Sequence, residues 1–189
     1  MVSLVKQNPG GKFVFDLRPA CQRMIDVVAG ITDGQLAGGT PCDDFTVADL
    51  LAHVDAAAVR LAAVTRGEAA EPQGVSPRKL IGHHVRALAT AWQAPSAWQG
   101  STDLGLELAN EVWGRIALTE MVVHGWDLAT ATGQPFDVPE PTLRGCLEYL
   151  TEFLPNLPAP ARSPWGTAVP VSPDAPLLDR VIGMAGRKP

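Results

Sequence analysis

Two residues one helical turn apart carry the first chemical signal in this chain of 189 residues. Glu120 and His124 are four positions apart in the segment LTEMVVHGWD. On an α-helix, side chains with this spacing lie on one face, so the carboxylate and the imidazole point in the same direction. Both groups are common ligands of divalent transition metals. The pattern therefore has the spacing of two ligands of a metal site.

His53 is the candidate for the third ligand. It lies beside the apolar stripe of a second predicted helix, as Glu120 and His124 lie beside the stripe of theirs, so the two helix flanks can face each other. Two imidazoles and one carboxylate suit Zn²⁺, with Ni²⁺ or Fe²⁺ as alternatives, and they leave one position open. Such a site would hold one divalent ion and leave room for water or substrate.

Two aspartates are candidates for accepting a hydrogen bond from the histidine ligands. Metal-bound histidines usually donate their second ring N–H to a carboxylate or carbonyl. Asp49 lies one turn before His53, and Asp127 lies almost one turn after His124. A Glu-x-x-x-His pair is also typical of a polar helix face or a structural hydrogen bond. Spacing alone leaves both interpretations open.

Three further residues are candidates for lining a pocket. Trp113 lies on the same helix flank as Glu120, and Arg115 and Arg86 are basic residues that could hold a substrate carboxylate. Cys42 precedes the second helix with no histidine near it in sequence to activate a thiol, so we interpret it as a small packing residue. The sequence assigns no catalytic residue.

Helical spacing of apolar residues dominates the chain, and strand patterns are nearly absent. The spacing predicts helices over about 13–29, from Thr46 onward, from Ser76 onward, over about 103–132, over about 139–154 and over about 174–186. A Thr46-x-x-Asp49 pattern is typical of a helix start, and Gly133 is typical of a helix end. The fold class is therefore all-α, with sites expected between the helices of a bundle.

Composition excludes several classes of protein. The 46% hydrophobic and 19% charged residues are enough for one globular domain, and the net charge of −5 comes without the basic cluster that nucleic acid requires. No segment reaches the roughly 20 apolar residues of a membrane span. Three widely spaced cysteines indicate neither a disulfide framework nor a thiolate cage, so we expect a cytoplasmic protein.

Three segments resemble a known family. They are TPCDDFTVADLLAHV at 40–54, TEMVVHGWDLATATG at 119–133, and VPV at 169–171 with DAPLLDR at 174–180. The chain from Phe13 to the C-terminus resembles actinobacterial, DinB-like metal-binding proteins related to the N-terminal domain of mycothiol-dependent maleylpyruvate isomerase. The glutamate one turn before HGWDLA is the most specific feature.

The resemblance implies a fold and a ligand set. It implies a DinB-like four-helix bundle over 13–157, followed by a proline-rich C-terminal extension, 158–189, whose short helix packs on the bundle. It also implies one divalent metal, usually zinc, held by His53, Glu120 and His124.

The resemblance also implies an activity. Family members use the metal with a small-molecule thiol such as mycothiol, so we expect a thiol-dependent transferase or isomerase that acts on an electrophilic substrate. The full additional domain of the isomerase is not recognisable here, so maleylpyruvate is not assigned. Two alternatives stay open, a non-enzymatic metal- or small-molecule-binding bundle and a metal-dependent hydrolase. We also expect a homodimer formed through an exposed helix face.

Overall fold

The computed structural model describes residues 6–7, 13–43, 45–68, 78–158 and 165–189. Its α-helices are α1 (Arg18–Gly30), α2 (Val47–Ala63), α3 (Arg78–Ala91), α4 (Asn110–Thr132), α5 (Glu140–Glu148) and α6 (Leu177–Met184). Two short antiparallel strand pairs join β1 (Lys6–Gln7) to β2 (Phe13–Val14), and β3 (Ser101–Asp103) to β4 (Glu107–Ala109). The predicted all-α class is confirmed, and the strand pairs are a minor addition to it.

Four of the helices form a bundle. α1 and α2 each pack against both α3 and α4, and α5 packs on a further face of α4. As a result α4 is buried on nearly all sides from Gly114 to Ala129. Its glutamate and histidine are therefore held inside the protein, where water is largely excluded.

The predicted helix ends at Thr46 and Gly133 are confirmed. The Thr46 hydroxyl accepts the backbone N–H of Asp49 at 3.2 Å, and the Asp49 carboxylate accepts the Thr46 N–H at 3.1 Å. This reciprocal capping box fixes the start of α2. Gly133 ends α4 in the left-handed conformation, at φ 70°, which costs glycine little.

Two predicted helix starts are wrong. α1 begins at Arg18 and not near residue 13, because Phe13 and Val14 pair as a strand and Pro19 favours the first turn. α4 begins at Asn110 and not near residue 103, because β3 and β4 pair around a turn in which Gly105 has φ 92°. The predicted start at Ser76 lies outside the described residues.

The chain after α5 differs from a simple helix. α5 continues into a π-helical turn, Tyr149–Phe153, and a 3₁₀ turn, Leu154–Asn156. α6 packs against α5 and the π-helical turn. Within the described parts of the chain, no helix combines the length and the apolar character needed to cross a membrane.

Candidate metal centre

The structure brings His53, Glu120 and His124 together between α2 and α4. The Oε2 atom of Glu120 lies 3.0 Å from His53 Nε2 and 3.3 Å from His124 Nε2. All three potential ligand atoms lie within 4.8 Å of one another. The side chains of Glu120 and His124 are 6% and 3% exposed, whereas that of His53 is 36% exposed. The cluster therefore opens toward solvent at His53.

The donor set and its spacing fit a divalent transition metal. Ligand atoms about 2.0–2.1 Å from a tetrahedral zinc ion are about 3.3 Å apart, close to the two distances measured from Glu120. Among the described residues, no fourth cysteine, histidine, aspartate or glutamate offers an atom within 4.8 Å of all three ligand atoms. The side chains can thus supply three ligands and leave a fourth position free.

Asp127 lies against the far side of the His124 ring. Its Oδ2 atom is 3.0 Å from His124 Nδ1, and both residues are buried. Because a carboxylate only accepts hydrogen bonds, Nδ1 carries the proton and Nε2 faces Glu120. This is the arrangement that orients histidine ligands in metal sites.

Charge within the cluster shifts two pKa values. Burial alone lowers the pKa of His124, but the Glu120 carboxylate and the hydrogen bonds to Asp127 and Glu120 outweigh it and raise this pKa to about 9. Burial alone raises the pKa of Glu120, but His124 and His53 hold it well below its usual range. Without a metal, a protonated His124 therefore balances an ionised Glu120.

Asp49 does not contact the cluster in the structure. Its exposed carboxylate caps α2, where the hydrogen bonds from Thr46 lower the pKa of Asp49. The contacts of His53 are instead with Glu120 and with the rings of Phe45 and His124. Asp49 is one turn from His53 in the sequence, but its carboxylate is hydrogen-bonded to Thr46 at the start of α2.

The three predicted pocket residues lie apart from the triad. Trp113 is half-buried and donates its ring N–H to the Thr102 carbonyl at 2.9 Å. Arg86 is exposed and lines a groove between α1 and α3 with Asp16 and Arg18. The groove contains none of the three candidate ligands.

Arg115 points away from the triad on another face of α4. It is five positions before Glu120, a rotation of about 140° on the helix. Its buried guanidinium lies between the rings of Phe15 and Phe153, at 4.7 and 4.2 Å. Glu148 lies 3.3 Å away. These contacts describe a cation held between aromatic rings in the core.

Sequence reasoning missed Tyr149 and the closeness of Cys42 to the candidate ligands. Cys42 packs half-buried against the core, as its interpretation as a packing residue predicts, and its sulfur also lies within 4.8 Å of ligand atoms of His124 and Asp127. The loop before α2 folds over the end of α4, which no local pattern indicates. Tyr149 is fully buried in the π-helical turn, where burial and the nearby Glu120 raise its pKa to about 12.

The C-terminal segment supplies a wall of the site that sequence reasoning also missed. The Trp165 ring lies 6.0 Å from the His124 ring at an interplanar angle of 20°. Arg187 donates to both carboxylate oxygens of Asp127, at 3.3 and 3.0 Å. The sequence predicts a short helix over about 174–186, but no local pattern indicates that Trp165 before it and Arg187 after it reach the site.

Comparisons with known proteins agree with this architecture. Residues 17–80 match the family model of the mycothiol maleylpyruvate isomerase N-terminal domain. Two uncharacterized proteins of Mycobacterium tuberculosis, from strains CDC 1551 and H37Rv, are each 30% identical over 169 residues, which is 85% of this chain and 90% of theirs.

Solved structures support the fold. Crystal structures of the mycothiol-dependent maleylpyruvate isomerase and of a histidine-to-alanine mutant of it superpose with TM-scores of 0.55 and 0.54, at 22% and 21% identity. Each match covers 71% of this chain and 66% of the isomerase chain, so this chain spans less than two thirds of the enzyme. The chain belongs to the same family as these mycobacterial proteins, a family related to the N-terminal domain of mycothiol maleylpyruvate isomerase.

Proposed function

We propose that the protein binds one divalent metal ion, Zn²⁺ in preference to Ni²⁺ or Fe²⁺, through His53, Glu120 and His124. We further propose that it is a transferase or isomerase that uses a mycothiol-type thiol and an electrophilic small molecule. The observation that supports the metal site is the meeting of two imidazoles and a carboxylate within 4.8 Å, with an open fourth position.

The relatives support the thiol. Two solved relatives are named as mycothiol-dependent isomerases. A bound divalent ion would lower the pKa of a coordinated thiol, so that a thiolate is available near neutral pH. Around that position, the protein contributes a partly exposed His53 at the entrance and a buried Tyr149, whose pKa the Glu120 charge helps to raise. Phe45, exposed next to the His53 ring, is suited to contacting the apolar part of a ligand.

The test loads the protein with Co²⁺ and adds mycothiol. Thiolate bound to Co²⁺ produces an intense near-ultraviolet charge-transfer band, whereas Co²⁺ bound by nitrogen and oxygen alone gives only weaker visible bands. We expect the near-ultraviolet band to rise with mycothiol and to saturate at one equivalent. Because Cys42 lies near the site, the titration is run in the Cys42→Ser variant, whose own sulfur cannot contribute.

The outcome separates the proposal from its alternatives. A visible Co²⁺ spectrum that mycothiol does not change at millimolar concentration would contradict thiol chemistry. It would then favour either a hydrolase or a non-enzymatic metal-binding bundle. Turnover of activated esters by the zinc-loaded protein separates those two, because a site closed by a fourth protein ligand has no position for water.

A further inference from the structure

We propose that Arg187 is a positioning residue for the metal centre, acting through Asp127 on His124, so that docking of the C-terminal segment and metal binding stabilise each other. This inference rests on the proposed metal site. We define the C-terminal segment as residues 165–189. The proposal gives this segment a role in metal binding, although the candidate metal ligands lie on α2 and α4.

An unbroken series of polar contacts runs from Arg187 to the entrance of the site. Arg187 reaches both oxygens of Asp127, and Asp127 lies 3.0 Å from His124 Nδ1. His124 Nε2 lies 3.3 Å from Glu120, and Glu120 lies 3.0 Å from His53. Four of these five residues are 6% exposed or less, so water scarcely competes for their hydrogen bonds.

The guanidinium of Arg187 uses all three of its nitrogens here. Nε and Nη2 donate to Asp127, and Nη1 donates to the Ala185 carbonyl. The planar fork matches the geometry of a carboxylate and restricts its rotation. Arg187 thus does more than neutralise a buried charge, because it sets the angle at which Asp127 accepts the His124 N–H.

That angle matters because a histidine binds a metal through only one nitrogen. With Nδ1 donating to an Asp127 that Arg187 holds in place, the lone pair of Nε2 is available on the side of Glu120. Trp165 lies nearly parallel to the His124 ring and limits its tilt. Without Arg187, the Asp127 carboxylate would be buried without its counter-charge and free to rotate away from His124.

Two independent measurements test this proposal on untagged full-length protein. The first is Zn²⁺ affinity, measured by competition with a chromophoric chelator. The second is hydrogen exchange of the His124 imidazole N–H, followed by NMR after labelling the four histidines with ¹⁵N. The variants are Arg187→Gln, which removes the charge, and Arg187→Lys, which retains the charge without the fork. Arg180→Ala is the matched control, because Arg180 lies on α6 and lines a cavity with Leu147 and Pro170.

We expect Arg187→Gln to weaken Zn²⁺ binding about 10- to 100-fold, the usual effect of losing a group that supports a metal ligand. We expect Arg187→Lys to give an intermediate loss and Arg180→Ala to stay within about twofold of wild type. The His124 N–H should exchange faster in Arg187→Gln than in wild type, with or without metal. Unchanged Zn²⁺ affinity and unchanged exchange in both Arg187 variants would overturn the proposal.

The two readouts separate this inference from the proposed function. If wild-type protein takes up no Zn²⁺, the metal proposal fails, and the metal-free exchange of the His124 N–H still decides whether Arg187 positions that ring. If Arg187→Gln does not fold, the Zn²⁺ affinity and the His124 N–H exchange of the Arg187→Lys variant decide whether the proposal holds. An Arg180→Ala variant that loses Zn²⁺ as strongly as Arg187→Gln would show that disturbing α6 suffices, and would likewise overturn the proposal.

Discussion

His124 Nδ1 lies 3.0 Å from Asp127 Oδ2, within one helical turn and inside the protein. This contact determines which ring nitrogen faces Glu120 and the site. It also links the family segment HGWD to the C-terminal segment, because the same carboxylate oxygen accepts a hydrogen bond from Arg187.

The Asp127 contact predicts a large effect from a nearly isosteric change. In Asp127→Asn, the single amide oxygen is drawn to Arg187, so the amide NH₂ faces His124 Nδ1 and favours the tautomer with its proton on Nε2. We expect Zn²⁺ affinity, measured by chelator competition, to fall about 10- to 100-fold. The exposed Asp137→Asn is the control. Equal affinities in the two variants would contradict this account of the tautomer.

The paired charges of Glu120 and His124 predict that the metal-free protein loses stability in alkaline solution. The pKa of His124 is raised from 6.5 to about 9, so its contribution is complete below pH 6.5 and is lost as the pH rises through 9. The pKa of Glu120 is lowered, so its contribution is present above its ordinary value of 4.5 and is lost only as the solution becomes acidic. We expect the free energy of unfolding in EDTA to fall by roughly 3 kcal/mol between pH 6.5 and 9.

Urea unfolding from pH 6.5 to 9 measures this fall in the free energy of unfolding. The His124→Gln variant should not show the fall. The stabilisation by bound zinc should have the opposite pH dependence. Zn²⁺ replaces a proton on His124, so the Zn²⁺ affinity rises with pH. A free energy of unfolding that stays flat from pH 6.5 to 9 in metal-free wild type would contradict the predicted ion pair.

The three cysteines should differ in reactivity. Burial raises the pKa of Cys21 and of Cys146 to about 12, and it also raises the pKa of Cys42. Of the three thiols, only that of Cys42 is partly accessible to a reagent. We expect iodoacetamide at pH 8 to modify Cys42 first, and bound Zn²⁺ to slow that reaction. Peptide mass spectrometry locates the modified residue. Modification of Cys146 before Cys42 in the folded protein would be inconsistent with this packing.

Two helical glycines predict opposite effects of the same substitution. A Cβ atom at Gly114 of α4 would lie 2.5 Å from the Trp98 ring and 2.8 Å from Trp92, whereas at Gly82 of α3 the nearest atom is 3.7 Å away. We expect Gly114→Ala to destabilise the protein by about 1–3 kcal/mol through overpacking. Gly82→Ala should stabilise it by about 0.5–1 kcal/mol through helix propensity. Denaturant unfolding measures both, and a stabilising Gly114→Ala would disprove the close approach.

The parts of the fold that local patterns encode could be predicted from the sequence. The meeting of Glu120 and His124 follows from helical spacing, and the start of α2 follows from the capping chemistry of Thr46. The β3–β4 pair was missed because its three-residue strands are too short to show alternation. The positions of Cys42 and Arg187 depend on how a loop and the C-terminal segment fold back over α4, and such long-range contacts leave no periodic trace in the sequence.

Elemental analysis of purified, untagged protein by mass spectrometry tests the central claim most directly. Wild type is compared with His53→Ala, Glu120→Ala and His124→Ala, and with the exposed His83→Ala as control. We predict about one equivalent of zinc, or of nickel or iron, in wild type and His83→Ala, and its loss in the other three variants, with helical content retained in His124→Ala. Stoichiometric metal in His124→Ala, or a wild type that contains no metal and takes up no added Zn²⁺, would contradict the metal centre.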